Sequence, residues 1–246
     1  MGTHKGKIKE IKRINENVYS IKFSSPFLKS IIPGQYISIL CDGLTLRRPF
    51  SVSDFDGENI TILIKLRGKG TQYLSNLKIG DDIDFCGPLG NGFKLTNKKT
   101  LLIGAGIGVA PLFYAEKKLK GIGAKTLFAA SFPSEIDIIN RELIDFISTD
   151  DCSNGIKGSI CDYLEKIIIE FKPEILLSCA PKPVLKFVSE LAQKYNIPSE
   201  ICMEKTMACG IGVCRGCVIK IKKNAAIQNA TVCKDGPVFA GEEVVW

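Results

Sequence analysis

Up to about Asn97, apolar residues recur in short runs at 18–23, 36–41, 49–53 and 60–66, split by the turn pairs Pro33-Gly34, Asp56-Gly57 and Gly87-Pro88. Short runs with turn residues at that interval predict an all-β unit, a small antiparallel barrel. From Lys98 the pattern changes. Segments 100–103, 125–130 and 174–179 read as strands, whereas 109–119, 160–171 and 183–194 read as helices, the last ending before Ile197-Pro198. Strands alternating with helices predict a parallel sheet with crossovers. Beyond about Cys202 the chain is short, rich in glycine and cysteine, and too small to hold a core unaided, so a metal centre is expected to supply what the core lacks. The expected fold is thus a β barrel followed by α/β, divided as residues 1–97, 98–200 and a small third domain at 201–246.

Composition narrows the class. The 246 residues are 45% hydrophobic and 24% charged, an ordinary globular balance. No apolar run reaches the roughly 18 residues of a membrane span, and residues 1–10 carry lysines with no apolar stretch behind them, unlike a secretory signal. A cytoplasmic protein with no membrane partner is expected. The net charge of +7 is spread along the chain rather than gathered in one run, which favours anionic small ligands over nucleic acid. Ten cysteines without an export signal point to metal or redox chemistry rather than a disulfide framework. Cys41, Cys86, Cys152, Cys161 and Cys179 are scattered, and five more crowd between Cys202 and Cys233.

Cys209, Cys214 and Cys217 form C-x4-C-x2-C, with Cys233 sixteen residues further on. This is the plant-type [2Fe–2S] spacing, in which a glycine-bearing loop wraps the cluster and aims its N–H groups at the sulfurs. Four thiolates also suit structural zinc, but zinc ligands usually come as two short C-x2-C pairs, and here Cys214 and Cys217 alone form one. Four buried free cysteines are the remaining alternative. Cys202 reads as a core residue of a strand.

Two further constellations suit phosphates. Arg47-Arg48-Pro49-Phe50-Ser51 opens a strand, and Arg67-Gly68-Lys69-Gly70-Thr71 follows the next one, with Thr71 as the expected N-cap of a helix over 72–77. An arginine, a backbone-rich turn and a hydroxyl can hold a pyrophosphate, although a surface arginine and a capped helix entry would look the same. Gly104-Ala105-Gly106-Ile107-Gly108-Val109-Ala110-Pro111 follows an apolar strand and opens a helix, as a phosphate loop requires, or as a ligand-free tight turn would. Ser178-Cys179-Ala180-Pro181 ends another strand, and Cys179 alone reads as easily as a core cysteine.

Taken together, Arg-Pro-Phe-Ser, the Gly-Thr step and Gly87-Pro88-Leu89-Gly90-Asn91-Gly92-Phe93 resemble the flavin barrel of the ferredoxin reductase superfamily. The resemblance implies that Arg48, Pro49, Phe50 and Ser51 contact FAD, with Leu63, Ile64 and Lys65 beside it and Gly70 and Thr71 on its phosphates. It further implies that Gly104, Gly106, Gly108 and Cys179 serve the pyridine nucleotide, with Ala180 standing where the family has glycine. The end of the chain, Met203-Glu204-Lys205, Met207-Ala208-Cys209-Gly210-Ile211-Gly212 and Val232-Cys233-Lys234-Asp235-Gly236-Pro237, is similar to the electron-transfer subunits of NAD-linked (type B) dihydroorotate dehydrogenases. That likeness implies 1–97 as FAD-binding barrel, 98–200 as pyridine-nucleotide domain and 201–246 as [2Fe–2S] domain. It implies a separate FMN-containing catalytic subunit, in a two-plus-two heterotetramer, whose electrons pass through the cluster and FAD to NAD during pyrimidine synthesis. No residue reads as a site for dihydroorotate, and no catalytic residue is expected. The rivals are a reductase subunit serving a ferredoxin, hydrogenase or glutamate synthase, and a zinc-stabilised nucleic-acid-binding module.

Overall fold

The computed structural model describes residues 3–246; Met1 and Gly2, the start of the expected first domain, lie outside the described residues. Strands β1 (Thr3–Arg13), β2 (Val18–Ser24), β3 (Tyr36–Ile39), β4 (Arg48–Phe55), β5 (Asn59–Lys65) and, after helix α1 (Lys69–Ser75), β6 (Asp82–Leu89) close into an antiparallel barrel. Its order is β1-β2-β5-β4-β3-β6. Strand alternation explains the filling: Ile60, Ile62 and Ile64 point from β5 into the barrel with Phe23, Ile37, Val52 and Phe85, while Leu63 points out into the next core. Gly87-Pro88 is not the turn that the sequence predicts. It lies inside β6, where the pairing with β3 shifts register between Tyr36 and Ser38, an irregularity that accommodates a residue pair poor at ladder bonding.

The second unit runs β7 (Thr100–Ala105), α2 (Ala110–Gly121), β8 (Thr126–Phe132), β9 (Phe146–Thr149), β10 (Ile156–Lys157), α3 (Ile160–Phe171), β11 (Ile175–Cys179), α4 (Lys182–Lys194) and β12 (Ser199–Cys202). Sheet order is β10-β9-β8-β7-β11-β12, all parallel. The chain leaves β7 toward one edge and returns at β11 on its other side, so the order reverses between β7 and β11. α3 starts at a reciprocal cap: Ser159 accepts from the Cys161 N–H at 3.3 Å, and Asp162 accepts from the Ser159 N–H at 2.9 Å. α2 is the wedge between barrel and sheet. Its Tyr114 belongs to the barrel core and donates to the Ile31 carbonyl at 3.0 Å, while Phe113 packs on Phe128 of β8.

The C-terminal segment contains a hairpin, β13 (Val218–Lys223) and β14 (Ala226–Thr231), turned at Asn224 and Ala225, both at positive φ as a two-residue hairpin turn requires. It then gives β15 (Val238–Ala240), which joins the large sheet antiparallel to β12. This segment does not make a core of its own. Ile219, Ile221, Val232 and Phe239 pack with Tyr36 and Leu89 of the barrel and with Leu185 and Ile201 of the α/β unit. Each such buried side chain contributes about 1.5–3 kcal/mol over exposure. Asn91 locks the junction through its N–H to Gly236 O at 2.6 Å and its amide to Asp235 O at 2.9 Å. No helix among the described residues is long and apolar enough to cross a membrane.

Candidate functional site

The four cysteines of the C-x4-C-x2-C loop and β14's end come together under a fan of backbone donors. Ile211 N–H and Cys214 N–H point at Cys209 Sγ from 3.5 and 3.3 Å, Gly212 N–H at Cys233 Sγ from 3.1 Å, Gly216 N–H at Cys214 Sγ from 3.4 Å, and Cys233 N–H at Cys217 Sγ from 3.4 Å. Every one of the four sulfurs thus receives at least one N–H. The loop achieves this by entering left-handed backbone at Gly210, Gly212 and Arg215, which turns successive N–H groups inward. Those donors stabilise negative sulfur: the N–H groups of Cys214 and Ile211 lower the Cys209 thiol to about 6. Burial, and next the neighbouring Cys217 thiol, raise Cys233 to about 11. No three His, Cys, Asp or Glu side chains among the described residues converge on a single ion. A binuclear cluster asks for less convergence, since it divides four thiolates between two irons. The donor set therefore suits a [2Fe–2S] cluster. Cys214 is exposed, as are Ile211 and Val213 beside it, so this edge of the loop faces solvent, whereas Cys217 and Cys233 are buried.

Sequence reasoning missed Tyr36. From β3 its buried hydroxyl donates to the Gly210 carbonyl at 2.8 Å and reaches the Cys233 carbonyl at 3.1 Å. Burial, followed by the thiols of Cys233, Cys217 and Cys209, holds its ionisation far above the ordinary range, so it remains a donor. Tyr36 stands directly opposite Ser51 of β4. The cysteine loop is therefore seated one strand from the residues expected at a flavin. Nothing local in the sequence signals a contact between residues 174 apart. The one cue is an aromatic hydroxyl in an apolar strand, a group that needs a partner once buried.

The two halves of the expected flavin site do meet. A β-carbon on buried Gly70 would stand 3.0 Å from Arg48 Cγ, so the glycine is what lets α1 lie on the arginine. The guanidinium of Arg48 also donates to the Leu46 carbonyl. Its neighbour Arg47 is occupied elsewhere, paired to Asp84 at 2.7 Å. Thr71 differs from expectation: the helix begins at Lys69 with Gly68 as its N-cap. The Thr71 hydroxyl in the third position accepts from the Arg67 and Gly68 N–H groups at 2.9 and 3.2 Å. A side chain three residues in thus reaches back to the cap N–H, the half of a capping box that a glycine cap can still take part in. On β4, Pro49 is exposed, Ser51 half-buried, and Phe50 packs on the barrel core. Ile64 is fully buried inside the barrel and can offer a ligand only its backbone, while Lys65 is paired to Asp137 at 3.1 Å.

The glycine loop and Cys179 also meet, at the point where the strand order reverses, which is where open α/β sheets bind ligands. A β-carbon on Gly104 would stand 2.7 Å from Val109 Cγ1, and one on Gly108 would stand 2.3 Å from the Cys179 carbonyl oxygen. Those two glycines are explained by packing. Gly106 has open space around it and φ +53°, leaving a bare backbone turn at the carboxyl end of β7. Cys179 is aligned with Cys202 on β12; a hydrogen bond with that thiol, and then burial, raise it well above the ordinary cysteine range. Cys202 is the buried strand residue that the sequence predicts.

Comparison with known proteins agrees with this layout. Residues 204–245 match the family model for the iron-sulfur cluster binding domain of dihydroorotate dehydrogenase B, and residues 5–93 match the oxidoreductase FAD-binding domain. The chain is 40% identical to dihydroorotate dehydrogenase B (NAD(+)), electron transfer subunit, of Caldanaerobacter subterraneus subsp. tengcongensis, over 98% of both chains. It is 36% identical to the subunit of the same name from Clostridium acetobutylicum, over 97% of this chain and 96% of that one. Among solved structures, an NADH-dependent reduced ferredoxin-NADP oxidoreductase aligns with TM-score 0.87 and 30% identity, covering 100% of this chain and 91% of the other. With a barrel, a switch-point glycine loop and a four-cysteine tail in that order, this chain belongs to the family of electron transfer subunits of dihydroorotate dehydrogenase B.

Proposed function

We propose that this chain is the NAD-linked oxidoreductase subunit that carries electrons from a dihydroorotate-oxidising catalytic subunit to NAD in pyrimidine synthesis. In this reading Cys209, Cys214, Cys217 and Cys233 hold a [2Fe–2S] cluster, Arg48 to Ser51 with Gly70 and Thr71 bind FAD, and Gly104, Gly106, Gly108 and Cys179 border the nicotinamide. When bound, the cluster supplies one-electron exchange and the flavin supplies the link between single electrons and hydride.

The chain's own residues place, orient and shield. The five N–H groups around the sulfurs offset the negative charge of four thiolates, which the exposed loop could not otherwise concentrate. Arg48 supplies the cation for a pyrophosphate, and Gly70 keeps the backbone of α1 against it. Gly106 leaves the carboxyl end of β7 open for a second nucleotide. The division into 1–97, 98–200 and 201–246 is proposed as a division of these tasks, with the third part sharing its core with the first two.

The partner in this proposal is an FMN-containing subunit in a two-plus-two assembly. The setting is the cytoplasm, where cysteines outside the cluster would persist as thiols rather than pair as disulfides. The observation that carries the reading is the fan of N–H donors on all four sulfurs inside a segment that matches the dihydroorotate dehydrogenase B cluster model. Protein purified without oxygen should contain flavin, two irons and two labile sulfides per chain. With its co-purified partner it should form orotate at the expense of NAD. The likeness to the ferredoxin-NADP oxidoreductase favours one second reading, a ferredoxin-linked partner; NAD-linked turnover of ferredoxin without orotate formation would establish that instead.

A further inference from the structure

One peptide unit ties the barrel to a cysteine sulfur. The carbonyl of Gly210 accepts the Tyr36 hydroxyl at 2.8 Å, and the N–H of the same peptide, on Ile211, points at Cys209 Sγ from 3.5 Å. A hydrogen bond on a peptide oxygen polarises the amide and makes its N–H a stronger donor. Tyr36 is held for this purpose: it is buried, packed in the apolar cluster with Leu89, Val232 and Phe239, and among the described residues its hydroxyl has no acceptor other than the two loop carbonyls of Gly210 and Cys233. The hydroxyl carries a single proton, and the shorter bond to Gly210 takes the larger share of it.

We propose that Tyr36 is a positioning residue that tunes the potential of the cluster through the peptide between Gly210 and Ile211. The inference rests on the reading that the four cysteines hold a [2Fe–2S] cluster. Hydrogen bonds to ligand sulfur stabilise the more negative, reduced state and so raise the potential. A residue of the flavin barrel thereby sets the electron affinity of a centre bound by the C-terminal segment, and it does so from the strand adjacent to β4.

The test is a redox titration of the holoprotein followed by the EPR signal of the reduced cluster, with iron and sulfide measured on the same sample. Tyr36→Phe keeps the ring and removes the proton. Its iron and sulfide content should match the wild type, while its reduction equilibrium falls about three- to tenfold, a shift of about 30 to 59 mV to lower potential at 59 mV per tenfold. An unchanged potential in a fully loaded variant would overturn the proposal. Should Tyr36→Phe fail to fold or to hold iron, 3-fluorotyrosine placed at position 36 decides the matter. It retains the shape and has a stronger donor hydroxyl, so the potential should rise, and no rise counts against the proposal. Wild-type protein without iron and sulfide would instead bring down the cluster reading beneath it.

Discussion

Gly108 lies against the end of β11 so closely that a β-carbon would stand 2.3 Å from the Cys179 carbonyl oxygen. The glycine loop and the residue that closes β11 are thus pressed together at the reversal point of the sheet. Gly108→Ala must push the glycine loop away from the end of β11, and overpacking of that kind costs about 1–3 kcal/mol. Because the displaced backbone borders the proposed nicotinamide site, KM for NADH should rise by about tenfold while flavin and iron contents stay normal. An unchanged KM for NADH in a Gly108→Ala variant that keeps its flavin and iron would show that the close approach has no bearing on the nucleotide.

Arg47 and Arg48 are neighbours in sequence with different employment. Arg47 is bound to Asp84 at 2.7 Å, whereas Arg48 lies along Gly70 at the expected pyrophosphate position. Arg48→Gln should therefore weaken FAD binding, and the loss of a hydrogen bond to a charged group, about 1.5–3 kcal/mol, corresponds to roughly ten- to a hundredfold in Kd. Arg47→Gln should lower barrel stability and leave FAD affinity nearly as it was. Fluorescence titration of apoprotein with FAD, alongside urea denaturation, separates the two.

The exposed Cys214 and the buried Cys233 differ in what surrounds them but not in what a cluster asks of them. Replacing Cys214 by serine removes a thiolate at the open edge of the loop, where the core is undisturbed. The variant should lose its iron and labile sulfide and its coupling to a catalytic subunit, yet FAD should still be reduced by NADH at close to the normal rate. Normal coupling in a variant with no cluster would disprove the relay order.

How far the sequence foretold this arrangement depends on whether the determining interaction is local. Cysteine spacing is local, and the loop does gather Cys209, Cys214, Cys217 and Cys233 under shared donors. The strand-to-helix pattern over 100–130 and 160–194 is legible for the same reason, since periodicity and the reciprocal cap at Ser159 act within a few residues, whereas the short strands β9 and β10 are not among the predicted elements. β1 gives no such signal, because only Gly6 and Ile8 of its eleven residues are buried, so a strand held mainly by ladder bonds to β2 and β6 shows almost no apolar alternation. Gly87-Pro88 has turn composition but sits in a strand, because the barrel closure at β6 overrides the local preference. Thr71 stands inside the first turn rather than at the cap, because Gly68, which has no side chain to mark it in the sequence, takes the cap position. The joint core of the C-terminal segment and the contact of Tyr36 with Gly210 are non-local, and no window of sequence contains both partners.

Glu116 offers a prediction about stability that is independent of any cofactor. It is buried on α2, the wedge between barrel and sheet, with Lys120 at 2.7 Å as its partner. Burial raises its carboxyl above the ordinary value despite that partner, so the folded state binds the proton more tightly than the unfolded chain does. The stabilising contribution is then complete below the unfolded value and is lost as pH rises through the folded one, leaving a desolvated carboxylate at neutral pH. Lys120 is mostly exposed and its half of the ion pair is worth little in water. Glu116→Gln removes the charge and keeps the shape. Relative to wild type it should therefore gain stability at high pH and lose that advantage as pH falls through the raised folded value toward the ordinary one, about 4.3 for glutamate, as the native carboxyl takes up its proton. Paired urea midpoints across this range give the answer: a variant that is less stable at every pH would mean that the ion pair with Lys120 outweighs the desolvation of Glu116.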